Sequence, residues 1–183
     1  MPATVTICEV NGPSPGQTTQ GITNLNWGSV DQPNLILAHY NTAINLGSNS
    51  YTKYNYLVFS GAFTSLGNVT VTHLTGVLPS GIKLMSSPTM VNDSNKLVYS
   101  KPTTANLISV SNNLSTVGSS INLFISPPQS GYDPAYAPNK MAIYYNVGGL
   151  LYTNYLVTQI QTSYSGSTGN IPPIVLQITY DEA

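Results

Sequence analysis

No segment of this chain keeps apolar residues at i, i+3, i+4 and i+7 for three consecutive turns, so nothing in it reads as an amphipathic helix. Instead, fifteen glycines and thirteen prolines punctuate it every ten or so positions, the spacing of short strands. The clearest strands lie at the C-terminal end. Tyr152–Tyr164 is rich in Tyr, Thr, Val and Ile, residues 165–170 (Ser-Gly-Ser-Thr-Gly-Asn) supply turn chemistry, and Ile171–Tyr180 runs back. In the last run Ile174, Leu176, Ile178 and Tyr180 share one face, and Val175, Gln177, Thr179 and Asp181 share the other. The two runs read as a hairpin whose apolar face needs a second sheet to cover it. Pro172 and Pro173 fit only ahead of the second strand, because neither can donate to a ladder.

The same reasoning places strands elsewhere. Thr4–Val10 is a first strand, with Cys8 packing in it as a small apolar residue, and the run Asn11–Gly16 breaks it. Gln17–Tyr40 reads as irregular, with Trp27 as a core plug. Tyr51–Phe59 carries Tyr54, Tyr56 and Val58 on one face and Leu57 and Phe59 on the other, which predicts a central strand buried on both sides. Asn68–Leu74 alternates Val69, Val71 and His73 against Thr70 and Thr72, a half-exposed strand, and Ile82–Met85 is a short one. Lys96–Ser100 and Ala105–Val110 suggest a further pair, Ser119–Ser126 a strand with Ile121, Leu123 and Ile125 on one face, and Met141–Val147 another. Pro127–Pro138 holds four prolines and two tyrosines and reads as a long ordered loop. The expected fold is all-β: an immunoglobulin-like or jelly-roll-like antiparallel β-sandwich with long irregular loops. It is expected to form one domain over residues 1–183, with the Pro/Tyr loop around 126–140.

Charge narrows the function. Only 6% of residues are charged, against about a quarter in ordinary soluble domains. The five basic residues (Lys53, Lys83, Lys96, Lys101, Lys140) are all lysines and are scattered, and the net charge is -1. A nucleic-acid backbone would require clustered Lys and Arg, so nucleic acid is not an expected partner. The solvated surface must be built from Ser, Thr, Asn and Gln, whose short side chains lose little entropy on immobilisation. Such a surface suits permanent burial against a partner, and equally a secreted or viral β-protein. No apolar run approaches the length of a membrane span, and the first residues carry no basic segment followed by an apolar one, so neither a membrane nor a signal-peptide route is expected.

No constellation carries chemistry. His39 and His73 have no second histidine nearby and read as partly exposed strand or loop residues; a zinc site would need Asp31 or another carboxylate to join them in space. The acids Glu9, Asp31, Asp93, Asp133, Asp181 and Glu182 are too sparse for a recognisable glycosidase pair. A single cysteine allows no intrachain disulfide and no cysteine-based metal site. No enzyme activity and no cofactor are expected. The one unusual enrichment is tyrosine, thirteen residues against three Phe and one Trp. A tyrosine offers a rigid ring and a hydroxyl, so Tyr132 and Tyr136, with Pro134 between them, are the candidate partner contacts.

The opening Thr4-Val-Thr-Ile7 and the segment Gly21-Ile-Thr-Asn-Leu-Asn-Trp-Gly-Ser-Val-Asp-Gln-Pro-Asn34 are joined by Gly47-Ser-Asn-Ser-Tyr51 leading into the aromatic strand. With Gly76-Val-Leu-Pro-Ser-Gly-Ile-Lys-Leu84 and the closing Tyr180-Asp-Glu182, these pieces resemble short tailed-phage virion structural proteins with an immunoglobulin-like sandwich. The resemblance covers the ends and the first half, weakens through Met90–Ala137, and rests on turn and strand signatures. It implies a capsid decoration (cement) protein on the outer surface of the virion, binding the major capsid protein and other copies of itself, made in the host cytoplasm and released by lysis. It supplies no catalytic residues. The alternative is a tail or head fibre module that recognises a host glycan.

Overall fold

The structure, a computed structural model, describes residues 3–13, 16–33, 42–88, 99–105, 114–123, 125–126, 144–145, 150–166, 168–169 and 171–183. Its strands are β1 (Thr4–Asn11), β2 (Gln17–Gln20), β3 (Lys53–Ser60), β4 (Ser65–Thr75), β5 (Ile82–Pro88), β6 (Ser120–Asn122), β7 (Ile125–Ser126), β8 (Tyr144–Tyr145), β9 (Leu151–Thr153), β10 (Leu156–Thr162) and β11 (Val175–Glu182). They form two antiparallel sheets. The first runs β2-β1-β3-β10-β5, with β9 also beside β3 and β7 beside β9; the second runs β11-β4-β6, with β8 also on β4. From β3 onward the chain changes sheet at every step except β9 to β10, so the two layers are stitched together along their length.

The core lies between the sheets. Leu57, Phe59, Ile82, Leu84, Leu156 and Ile160 from the first layer meet Leu66, Val69, Val71 and Ile121 from the second. The apolar face of β11 closes it: Ile174, Leu176, Ile178 and Tyr180 pack on the core, and Val175, Gln177, Thr179 and Asp181 are exposed. The alternation read from the sequence is therefore the one observed, with Pro172 and Pro173 ahead of the strand. The fold is an antiparallel β-sandwich.

The C-terminal stretch is not a hairpin. Both edges of β10 are taken, by β3 and β5, and β11 pairs with β4 in the other sheet. The chain thus passes from one sheet to the other between β10 and β11. Both strands have an apolar face, and placing them in opposite layers turns both faces onto one core. Similarly, the run 119–126 divides at Leu123 into β6 in the second sheet and β7 in the first. The irregular stretch from Gln17 begins with an edge strand, β2, whose Gln-Thr-Thr-Gln has no apolar residue to announce it. β5 extends beyond Met85 to Pro88. The pair proposed at 96–100 and 105–110 falls largely outside the described residues.

Register slips shape both sheets. Val58 pairs with Tyr152 and Asn55 with Leu156, so β3 spans three steps where its neighbour spans four. The extra residue separates β9 from β10, and Thr153 Oγ1 accepts the Leu57 amide at 3.0 Å. On β4 the register against β11 shifts between Thr179 and Asp181, where Asn68 takes a left-handed φ of 53° and its amide donates to Asp181. Asparagine tolerates this conformation because its side chain is short and can bond locally; a β-branched residue does not. Asn68→Val is expected to lower unfolding free energy by about 1–2 kcal/mol, with Asn68→Gly close to wild type, as measured by urea denaturation.

Candidate functional site

Each face of the first sheet carries a cluster that its sequence explains. On the inner face of β1, Val5 and Ile7 point into the core, so alternation directs Glu9 and Asn11 the same way. On β3, Leu57 and Phe59 do likewise, and Asn55 and Lys53 follow in phase. The core therefore changes from apolar to polar toward one end. There Lys53 Nζ donates to Glu9 Oε1 at 2.7 Å and to the Gln32 carbonyl at 2.6 Å. The two side chains are only 1% and 0% exposed. Asn11 Nδ2 donates to the same Glu9 Oε1 at 3.0 Å and to Asp31 Oδ1 at 2.8 Å. Asp31 Oδ2 accepts the Gly12 amide at 2.8 Å, and Trp27 Nε1 donates to Thr158 Oγ1 at 3.0 Å, closing the loop 21–33 over this end.

Removing either member of such a buried pair leaves an uncompensated charge, at a cost of about 3–5 kcal/mol. Glu9 Oε2, Asn11 Oδ1 and Asn55 Oδ1 are buried with no hydrogen-bond partner among the described residues. No group of three or more His, Cys, Asp or Glu in the described residues is placed to hold a metal ion.

The outer face of β3 carries tyrosines. Tyr54 meets Tyr99 edge-on at 5.0 Å between centroids and Tyr155 at 5.7 Å; Tyr56 meets Tyr155 at 5.6 Å and Tyr152 at 6.3 Å. Val10 and Val157 fill the gaps. The segment 99–105 straps this face down. Tyr99 donates its hydroxyl to the Gly12 carbonyl at 2.6 Å, and buried Gln159 donates Nε2 to the carbonyls of Ser50 at 3.0 Å and Ala105 at 2.9 Å. Tyr54 and Tyr155 are buried, while Tyr56, Tyr99 and Tyr152 are half-buried and reach solvent.

A third feature is apolar and open. Leu74, Val77, Val117 and Val175 are exposed, Val77 by 77% and Val117 by 57%. They gather at one end of the second sheet: Val175 pairs with Thr75, and the Gly118 amide donates to the His73 carbonyl at 2.9 Å.

Tyr132, Pro134 and Tyr136 lie outside the described residues, as does His39. His73 is not partly exposed, as its half-exposed strand suggested, but fully buried. Its Nδ1 lies 2.7 Å from the Leu114 carbonyl and its Nε2 3.0 Å from the Thr75 carbonyl, so it pins the 114–119 loop to β4. Compared with known protein families, curated proteins and solved structures, the chain matches none of them.

Burial raises the pKa of Tyr54, Tyr155 and Tyr99, and pushes Tyr56 up to about 12, with Cys8 beside it adding to the effect. Between an ordinary tyrosine pKa of about 10 and the folded values, the native state holds protons that the unfolded chain has released. Stability from this cluster is therefore complete below about pH 10 and falls as the pH rises toward 12. Thermal melts are expected to stay level through neutral and mildly alkaline pH and then drop, with a shallower drop in Tyr56→Phe.

Proposed function

We propose that this chain is a bacteriophage virion structural protein, a capsid decoration protein that grips the outside of the major capsid protein lattice and stabilises the head. The observation that carries the reading is the exposed apolar end of the second sheet at Leu74, Val77, Val117 and Val175, on a chain with only 6% charged residues. Large exposed apolar patches rimmed by polar residues mark interaction sites. A lattice site occupied by many copies needs a contact that holds by shape and apolar area. The resemblance of the opening strand, the Gly21–Asn34 segment and the closing strand to virion proteins of this kind supports the same reading. A role without catalysis fits a chain whose described histidine is pinned between two backbone carbonyls.

A second reading, a fibre module that binds host glycans, is favoured by one observation: Tyr56, Tyr99 and Tyr152 present half-buried rings on the outer face of the first sheet. Such rings pair an apolar face with a polar hydroxyl, which suits an interface with one apolar and one wet side.

Recombinant protein added to undecorated heads is expected to bind with an affinity that barely changes between low and high salt, because few charges are available to screen. The double change Val77→Asp with Val117→Asp is expected to weaken binding tenfold or more, since burying one valine is worth about 1.5–3 kcal/mol. Binding that collapses with salt counts against the decoration role. A tag inserted at Gly169, where a Cβ meets no described atom within 4 Å, is expected to label the head evenly. Label confined to fibres would favour the glycan reading and direct mutagenesis to Tyr56 and Tyr152.

A further inference from the structure

The polar end of the core brings together a buried primary amine, a buried carboxamide and a buried carboxylate. The geometry points to an intramolecular amide cross-link between Lys53 and Asn11, formed by attack of Nζ on Cγ with Glu9 carrying protons between the two nitrogens.

Placement comes from register. Glu9 pairs with Asn55 and Val10 with Tyr54, so the next position on β1, Asn11, lies across from Lys53. Residues directly opposite in an antiparallel pair hold their Cβ atoms about 4.5–5.5 Å apart. Both side chains converge on a single atom, Glu9 Oε1, which lies 2.7 Å from Nζ and 3.0 Å from Asn11 Nδ2. Holding nucleophile and electrophile on one anchor is the proximity effect that makes slow acyl transfers feasible.

The hydrogen bonds also assign the roles. Asn11 gives its amide hydrogens to two carboxylates, Glu9 and Asp31. Its carbonyl oxygen is buried and has no partner among the described residues. The carboxamide is thus held by its leaving nitrogen, with its carbonyl unengaged. Asn55 is equally buried, but among the described residues its nitrogen bonds the Cys8 carbonyl, at 3.3 Å, and no carboxylate. Asn11 is therefore the acceptor.

The balance closes without any outside reagent. Nζ passes a proton to Oε1, which turns the buried ion pair into a neutral amine and a neutral acid. The amine lone pair forms the Nζ–Cγ bond. As the tetrahedral centre collapses, the Cγ–Nδ2 bond breaks and its electrons leave with nitrogen. The two protons lost by Nζ reach Nδ2 by way of Glu9, so ammonium departs and Glu9 ends as it began, a carboxylate. Burial keeps water from competing as the nucleophile. The product ties β1 to β3 and closes the loop between residues 11 and 53, constraining the unfolded chain as a disulfide would. With one cysteine, the chain has no disulfide of its own.

This inference is independent of the function proposed above, and intact-mass spectrometry of the purified full chain tests it. The wild type is expected to be lighter than its sequence by one ammonia, and its digest to contain a branched peptide joining Lys53 to Asn11. Asn11→Ala, which keeps the Lys53–Glu9 pair, is expected at full mass with a native circular dichroism spectrum. Asn55→Ala is expected to keep the deficit, and Glu9→Gln to lose it. A wild type at full sequence mass overturns the proposal. So does an ammonia deficit that survives in Lys53→Met, because that marks ring closure at Asn11–Gly12. The branched peptide separates these two origins whether or not the Lys53 variant folds.

Discussion

The contact on which most of the structure depends is the buried pair of Lys53 and Glu9. An ammonium and a carboxylate leave water at lower cost when each finds its counter-charge and further hydrogen bonds are supplied. Lys53 meets that condition by taking the Gln32 carbonyl as well as Glu9, which obliges the loop 21–33 to close over the end of the sandwich. The closed loop brings Asp31 to Asn11 and Gly12. Gly12, in turn, offers its carbonyl to Tyr99, the ring that caps the tyrosine cluster on the opposite face of the sheet. One ion pair thus links the inner core, the covering loop and the outer aromatic layer through named hydrogen bonds.

That linkage explains why β3 is the middle of the molecule. Apolar side chains on both its faces cannot be covered by one opposing sheet. The inner face uses the second sheet, and the outer face uses tyrosines with the 99–105 strap. Edge-on ring contacts suit the task, because each tyrosine buries its ring against a neighbour and keeps its hydroxyl for a polar partner. The opposite end of the sandwich is closed by other means. The Ala3 amide donates to the Glu182 carboxylate at 2.9 Å, and the Ala183 carbonyl accepts the Ser65 amide at 2.9 Å. The first strand of one sheet and the last strand of the other are clasped directly.

What could be read in the sequence follows from what periodicity measures. Alternation reports which residues share a face, so the inward set of β11 and the two buried faces of β3 were legible. It does not report which sheet a strand joins, so the last two strands read as a hairpin although β10 has both edges occupied. The slip at 153–155 and the edge strand Gln17–Gln20 leave no hydrophobic trace. The polar cluster did leave one. Lys53 is in phase with Leu57 and Phe59, and Glu9 with Val5 and Ile7, so each charge falls on a face its strand otherwise devotes to the core. Counting charges along the chain made them look scattered; placing them by strand phase brings them together. Tyr132, Pro134 and Tyr136 gave no such phase, since a proline-rich stretch has no alternation to exploit.

The placement of charge also bears on recognition. Among the described residues, Glu9, Asp31, Lys53, Asp181 and Glu182 are all engaged within the chain. Lys83 and Lys101 stand exposed. Among the described residues, most charged side chains thus serve to hold the chain together. In the proposed decoration role, a surface with few charges gains little from long-range steering, and selection comes from close contact. Short polar side chains and an open apolar end supply such contact at small entropic cost, and they lose little of it when salt rises. In the proposed decoration role, such a surface suits one lasting attachment rather than rapid exchange.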